Sequence, residues 1–377
     1  MGSESHDDLQ AGREALPRTV ARLEEGIARG EHRGAQMHVW RGGRVVADFG
    51  IGEARPGVPM TSEAITPWLS SGKPITAVAI ARLWEAGALD IDDRVAKHVP
   101  EFAHGGKENV TIRQILTHTA GFANAETGWP RASWEETIAA VCAAALESPP
   151  GERAAYHPQS SWFILGEIVR RFAGRPFGEA VRADIFEPLG MTSSWCGMPA
   201  GSPSRELDRI GTLWQRSRQG LDATDWDVPP RLTAPSPGSN CRGPVRELAH
   251  FYRMLLRDGE LDGVRLLQPE TVRELVRPRR VGMYDETFRH VVDFGLGVLV
   301  DSKRHGAETI PYGFGRHASS RTFGHGGAQS SIGFCDPERE LVVVWVANGL
   351  IGEPRHQRRN REINEAVYED VGSEPPA

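Results

Sequence analysis

Ser70 and Lys73 stand three residues apart in Leu69-Ser70-Ser71-Gly72-Lys73-Pro74, just ahead of an apolar run. On one helical turn positions i and i+3 share a face, so the hydroxyl falls beside the amine. A serine hydroxyl is a weak nucleophile until a neighbouring base takes its proton. A lysine serves as that base only where burial or adjacent positive charge lowers its pKa. The start of a buried helix meets the burial condition, and it also presents free backbone N–H groups, including that of Ser70, to a developing oxyanion. Of the 44 basic residues only Lys73, Lys97, Lys107 and Lys303 are lysines, and Lys73 alone has a serine three positions before it. An N-cap serine followed by a solvated lysine has the same spacing, and short motifs recur freely.

The elements that must hold this pair are legible in the periodicity. Ile75 to Trp84 is apolar nearly all round, interrupted by Thr76 and Arg82, which marks an interior helix. Leu16, Val20, Leu23 and Ile27 predict one face of an N-terminal helix. Gln36–Arg41 and Arg44–Phe49 flank Gly42-Gly43 as a β-hairpin. Helical patterns follow at Val110–Thr117, Trp134–Leu146, Trp162–Phe172 and Pro244–Leu256, and strands return at Phe294–Val300, Ser330–Cys335 and Leu341–Val346. Ile363, Ala366, Val367 and Val371 close the chain on an amphipathic helix. The fold class is therefore α/β in the α+β sense. An antiparallel sheet is built from N- and C-terminal strands and flanked by helices (residues 1–85 plus 285–377), with a large inserted helical lobe (86–284). The Pro-rich stretch 198–243 is expected to cover part of the cleft between the lobes.

Composition removes several classes of function. With 44 basic against 50 acidic residues the 377-residue chain has a formal charge of −6 and no basic block, so nucleic acid is not an expected partner. No run of eighteen apolar residues and no signal peptide is visible, which predicts no membrane partner and a cytoplasmic location. Cys142, Cys196, Cys241 and Cys335 lie far apart without a C-x-x-C pair, as reduced thiols do. The histidines show no metal spacing and there is no phosphate-binding Gly-rich loop, so neither metal nor other cofactor is expected.

Further stretches extend the pattern around Ser70: Leu116-Thr117-His118-Thr119-Ala120-Gly121, the helix from Trp162 to Arg170, a Leu-Leu-x-x-Gly-x-Leu-x-Gly run within Glu247–Leu267, and His325-Gly326-Gly327 before a strand. In that order they resemble the serine β-lactamase and penicillin-binding-protein superfamily, in its class C-like esterase and transesterase branch, over roughly residues 20 to 350. The resemblance implies that Ser70 is the acylated nucleophile. It implies that Tyr156, in Tyr156-His157-Pro158, is the tyrosine of the family's Tyr-x-Asn element, with the asparagine replaced. A phenol near a lysine ammonium can act as base for Ser70 or return the proton to the leaving group, and the choice between Lys73 and Tyr156 as first base stays open. His325-Gly326-Gly327 stands where the family has Lys-Thr-Gly. The resemblance implies that the glycines let a substrate approach closely and that the N–H of Ala328 is the second oxyanion donor, with His325 expected to donate a hydrogen bond or relay a proton.

Loss of the lysine charge at position 325 favours neutral esters or amides over substrates anchored by a carboxylate. Trp129, Trp162, Trp214 and Trp226 are candidates for an apolar cleft wall, or equally for core. His118 is expected to order a helix end, and Ser71 to point away from the nucleophile. The function expected is a serine hydrolase or acyltransferase, with a small ester or amide as substrate and water, an amine or an alcohol as acceptor, as in natural-product pathways. Two alternatives stand beside it, a non-catalytic ligand-binding protein using the same cleft and a β-lactamase or DD-peptidase. Oligomeric state is not legible.

Overall fold

A computed structural model of the chain describes residues 12–122 and 124–372. Its centre is a seven-stranded sheet made of β1 (Gly34–Arg41), β2 (Arg44–Arg55), β3 (Val58–Pro59), β4 (Leu299–Val300), β5 (Phe323–Gly327), β6 (Ser331–Asp336) and β7 (Leu341–Ala347). The strand order is β4-β5-β6-β7-β1-β2-β3, and every neighbouring pair is antiparallel. Strands from the two ends of the sequence meet where β1 pairs with β7, Ala35 opposite Ala347 and Arg41 opposite Leu341. Gly42 and Gly43 turn the β1–β2 hairpin at φ of 53° and 89°, as the sequence predicts.

Strand β7 reads Leu-Val-Val-Val-Trp-Val-Ala without a polar residue, because both faces of the sheet are covered. Leu341, Val343 and Trp345 join a core with Leu16 and Leu23 beside helix α1 (Pro17–Ala28), and with Ile363 and Val367 of the C-terminal helix. Val342, Val344 and Val346 face the opposite core, which contains α2 (Lys73–Glu85). The other long helices are α3 (Trp134–Ala143), α4 (Ser160–Ala173), α5 (Val245–Leu256), α6 (Pro269–Val276) and the C-terminal α7 (Glu353–Val371). Although α5 falls within residues 86–284, it packs against β1, β6 and β7.

The strand expected over 294–300 forms only at Leu299–Val300. Residues 295–298 make a bend in which Gly297 has φ of 76° and lies against Ala77 and Trp162. An apolar run broken by two glycines is buried here as a turn. Short strands also appear in the middle stretch, where strand signals in the sequence are scarce. Cys241–Gly243 pairs with both Thr66–Pro67 and Trp195–Cys196, tying the approach to Ser70 to residues far along the chain. The four cysteines are buried and free, and no described helix is long and apolar enough to cross a membrane.

Candidate active site

The chain enters the site through Leu69, which holds φ of 51°. A bulky residue in the left-handed region is strained, and such residues persist where packing over-determines them. Leu69–Gly72 is a 3₁₀ turn feeding directly into α2, so Ser70 lies just before the α-helix rather than within its first turn. The i, i+3 relation survives, since three-residue periodicity eclipses those side chains. Lys73 is completely buried, with Nζ 3.0 Å from Ser70 Oγ, 2.8 Å from the Pro158 carbonyl and 2.6 Å from the Gly238 carbonyl. Ser71 turns away, its Oγ 2.9 Å from Ser331 Oγ.

Burial drives the Lys73 pKa well below that of an ordinary lysine, opposed only weakly by Cys241. An uncharged amine can keep all three contacts. The two carbonyls can only accept, so they use two N–H bonds, and the third position on nitrogen faces Ser70. On an uncharged amine that position is the lone pair, directed at the hydroxyl it must deprotonate. The stretch 198–243 thus contributes by its last turn: Gly238 meets Lys73, and the Pro237 carbonyl accepts from Thr76 Oγ1 at 2.8 Å.

Tyr156 is buried with its ring centroid 5.1 Å from Lys73 Nζ. Burial holds its phenol above the ordinary value, although a hydrogen bond with the Ser70 side chain pulls the other way. The group is therefore a neutral proton donor near neutral pH. His118, itself at φ of 56°, packs on Tyr156 with ring centroids 4.6 Å apart, and its Nδ1 accepts from the His157 N–H at 3.1 Å. It orders the segment carrying Tyr156.

Two residues the sequence reading passed over stand behind that segment. Asp285 Oδ1 accepts from the Tyr156 N–H at 3.1 Å, and from Thr287 and Phe288 N–H at 3.0 Å each. Its Oδ2 meets Arg280 Nη1 at 2.9 Å, and both side chains are inaccessible to solvent. Arg280 also donates to the carbonyls of Thr117, beside His118, and Val292. Nothing in the local sequence separates Arg280 from its exposed-loop neighbours; only tertiary contact makes it the buried partner of Asp285.

On the opposite side β5 presents His325, Gly326 and Gly327. A Cβ at Gly326 would collide with the Tyr312 ring, and one at Gly327 with the Trp68 carbonyl. The missing side chains thus let the strand press against the segment that leads into Ser70. Ala328 follows, exposed, and Gln329 then takes φ of 49°. The turn is pinned by Arg359 Nη2 donating to the Gln329 carbonyl at 2.7 Å and by the Gln329 N–H donating to Tyr312 Oη at 3.1 Å. His325 is buried; its Nδ1 donates to the Gly326 carbonyl at 2.7 Å, and burial with the nearby Lys73 lowers its pKa to about 3. The imidazole is therefore neutral with Nε2 as an acceptor. The one N–H of His325 is thus spent on the strand's own backbone, and among the described residues Nε2 has no partner.

The tryptophans divide. Trp162 is fully buried beneath Lys73, with its ring 5.3 Å from Nζ, and Trp214 is buried under Arg33, so neither forms a cleft wall. Trp129 and Trp226 remain half-buried with centroids 5.9 Å apart, and the Arg231 guanidinium lies over both. Beside His118, the aromatic residues that flank Tyr156 are Phe288, at 4.6 Å between centroids, and His325, at 5.9 Å.

A sheet of terminal strands enclosing helices, with Ser, Lys and Tyr gathered at the front of a buried helix, defines a serine β-lactamase and penicillin-binding-protein architecture. Residues 20–368 match the family described as Beta-lactamase, and the chain belongs to that family. It is 28% identical to the esterase/beta-lactamase LipL of Mycobacterium tuberculosis, over 92% of this chain and 86% of the relative. Among solved structures, a penicillin-binding protein homologue from Caulobacter crescentus superposes with a TM-score of 0.76 at 30% identity, covering 95% of this chain and 98% of the other. EstCE1, described as a hydrolase with promiscuous acyltransferase activity, shares the fold with a TM-score of 0.78 at 21% identity, covering 95% of this chain and 100% of its own.

Proposed function

We propose that the protein is an acyl-transfer enzyme that acts on small neutral esters or amides through a Ser70 acyl intermediate. The observation carrying this reading is the Lys73 amine, fully buried and held by two carbonyls, with its remaining position 3.0 Å from Ser70 Oγ. In the proposed first step the Ser70 O–H proton passes to Lys73 Nζ as Oγ bonds to the acyl carbon. The carbonyl oxygen becomes an oxyanion held by the N–H groups of Ser70 and Ala328. The neutral Tyr156 phenol then gives its proton to the departing alkoxide or amide, and Lys73 restores it, leaving a neutral acyl-enzyme. Water, an alcohol or an amine closes the cycle by the reverse proton route. A neutral His325 adds no cation to hold a substrate carboxylate, which supports neutral acyl donors over penicillins and D-Ala peptides.

The test is intact-mass analysis after exposure to a fluorophosphonate and to a panel of esters and amides. One adduct, lost in Ser70→Ala, is expected. Labelling that persists unchanged in Ser70→Ala, or none in the wild type, would point to a binding protein instead. Partitioning of the acyl-enzyme between water and added amines or alcohols separates esterase from transacylase. Nitrocefin turnover matching that of a good ester would favour the β-lactamase reading, in keeping with the esterase/beta-lactamase LipL.

A further inference from the structure

Phe288 lies on the loop between the short paired strands Tyr284–Asp285 and His290–Val291, and it stays half-buried while nearly every other aromatic ring around Tyr156 is buried. Its ring is 4.6 Å from that of Tyr156 at an interplanar angle of 30°, and 6.1 Å from that of Tyr312. Tyr312 in turn lies against Gly326 of β5. Phe288 thus bridges the proton-donating phenol and the strand that lines the cleft. Its position is not left to the loop: one oxygen of Asp285 collects the N–H groups of Tyr156 and Phe288 together, and Thr287 Oγ1 donates to the Tyr156 carbonyl at 3.0 Å.

From this geometry we infer that Phe288, backed by Tyr312, is the specificity-determining wall for the alcohol or amine half of the reaction, and that this half is bulky and apolar, an aryl or arylalkyl group. The inference rests on the acyl-transfer reading, in which Tyr156 gives its proton to the leaving group. A ring packed at a tilt against Tyr156 therefore flanks the atoms that leave and those that arrive, and the acyl chain beyond the oxyanion is not its neighbour. An aromatic face of this kind recognises another ring by offset or edge contact and by apolar burial, and it gives nothing to a methyl group too small to reach it.

The experiment compares benzyl acetate with methyl acetate, which share an acyl group and release alcohols of similar acidity. In Phe288→Ala, kcat/KM for benzyl acetate is expected to fall about tenfold, with methyl acetate changing less than about threefold. Phe288→Leu is expected to fall between wild type and Ala. Partition of the acetyl-enzyme toward benzyl alcohol should drop in parallel, while its hydrolysis by water holds. Equal losses on both esters, or no loss on either, would overturn the assignment. Failure of the underlying reading looks different: Ser70→Ala would then turn over both esters as wild type does.

Discussion

In the proposed reaction one nitrogen, that of Lys73, is the base, and its protonation would set the pH response. The amine acts as base only when uncharged, and burial has moved its pKa well below the usual lysine range. Activity is therefore lost as pH falls below that pKa and is present above it, so kcat/KM should rise to a plateau well before an unperturbed lysine would titrate. A steady-state pH profile measures this. A rise delayed to the ordinary lysine range would contradict a neutral base. Lys73→Met should cost about 10²–10⁴-fold in acylation, the usual range for a positioned acid or base. Tyr156→Phe removes the phenol but keeps the ring against Phe288 and His118. Its loss should be larger for alkyl esters, whose alkoxide needs the proton, than for p-nitrophenyl esters, whose leaving group does not. Comparing kcat for the two ester types in Tyr156→Phe reads this directly.

At the level of elements, the site depends on how closely β5 meets the turn before α2 and on how the 280–292 segment is anchored. Gly326→Ala places a methyl group into the Tyr312 ring, and overpacking of this kind costs about 1–3 kcal/mol. A lower midpoint in chemical denaturation should accompany slower acylation, since the proposed Ala328 donor follows directly on β5. The Arg280–Asp285 pair is buried on both sides, so Asp285→Ala strands a guanidinium in the interior. The expected loss is about 3–5 kcal/mol, with less for the paired Arg280→Met/Asp285→Leu variant, which removes both charges. Urea unfolding of the two variants compares them; similar stability for both would argue against the ion pair as the anchor.

For the whole molecule, acid sensitivity follows from histidines largely withdrawn from solvent around Ser70 and elsewhere in the fold. Burial lowers His32 and His325 to about 3, and His157 and His250 to about 4, while His118 and His356 also fall well below the ordinary value. The unfolded chain binds these protons near pH 6.5 and the folded chain does not. Their stabilising contribution is therefore complete above about 6.5 and is lost as pH falls toward 4, at up to about 1.4 kcal/mol per unit for each histidine. Glu247, raised to about 7 by burial, contributes with the opposite sign but is outnumbered. Thermal melts should show Tm nearly level from pH 8 to 7 and falling steeply from 6 to 5. A Tm that is flat down to pH 5 would mean that these histidines are not held neutral.

Local pattern was enough for much of this protein. The apolar run after Lys73, the Gly42-Gly43 hairpin and the unbroken hydrophobic stretch of β7 each carry their own structural signal, because burial imposes a period or removes one. Spacing alone likewise determined that Ser70 and Lys73 share a face. Three things were decided only by folding. Pro158 and Gly238, some eighty residues apart in sequence, converge their carbonyls on one amine. Arg280 was selected for burial over its neighbour by a carboxylate five residues on. Phe288 gained its place beside Tyr156 through hydrogen bonds to Asp285. Long-range backbone acceptors and buried ion pairs carry no periodicity, and for that reason the residues that hold the Lys73 amine and anchor the segment around Tyr156 left no mark that a reading along the chain could find.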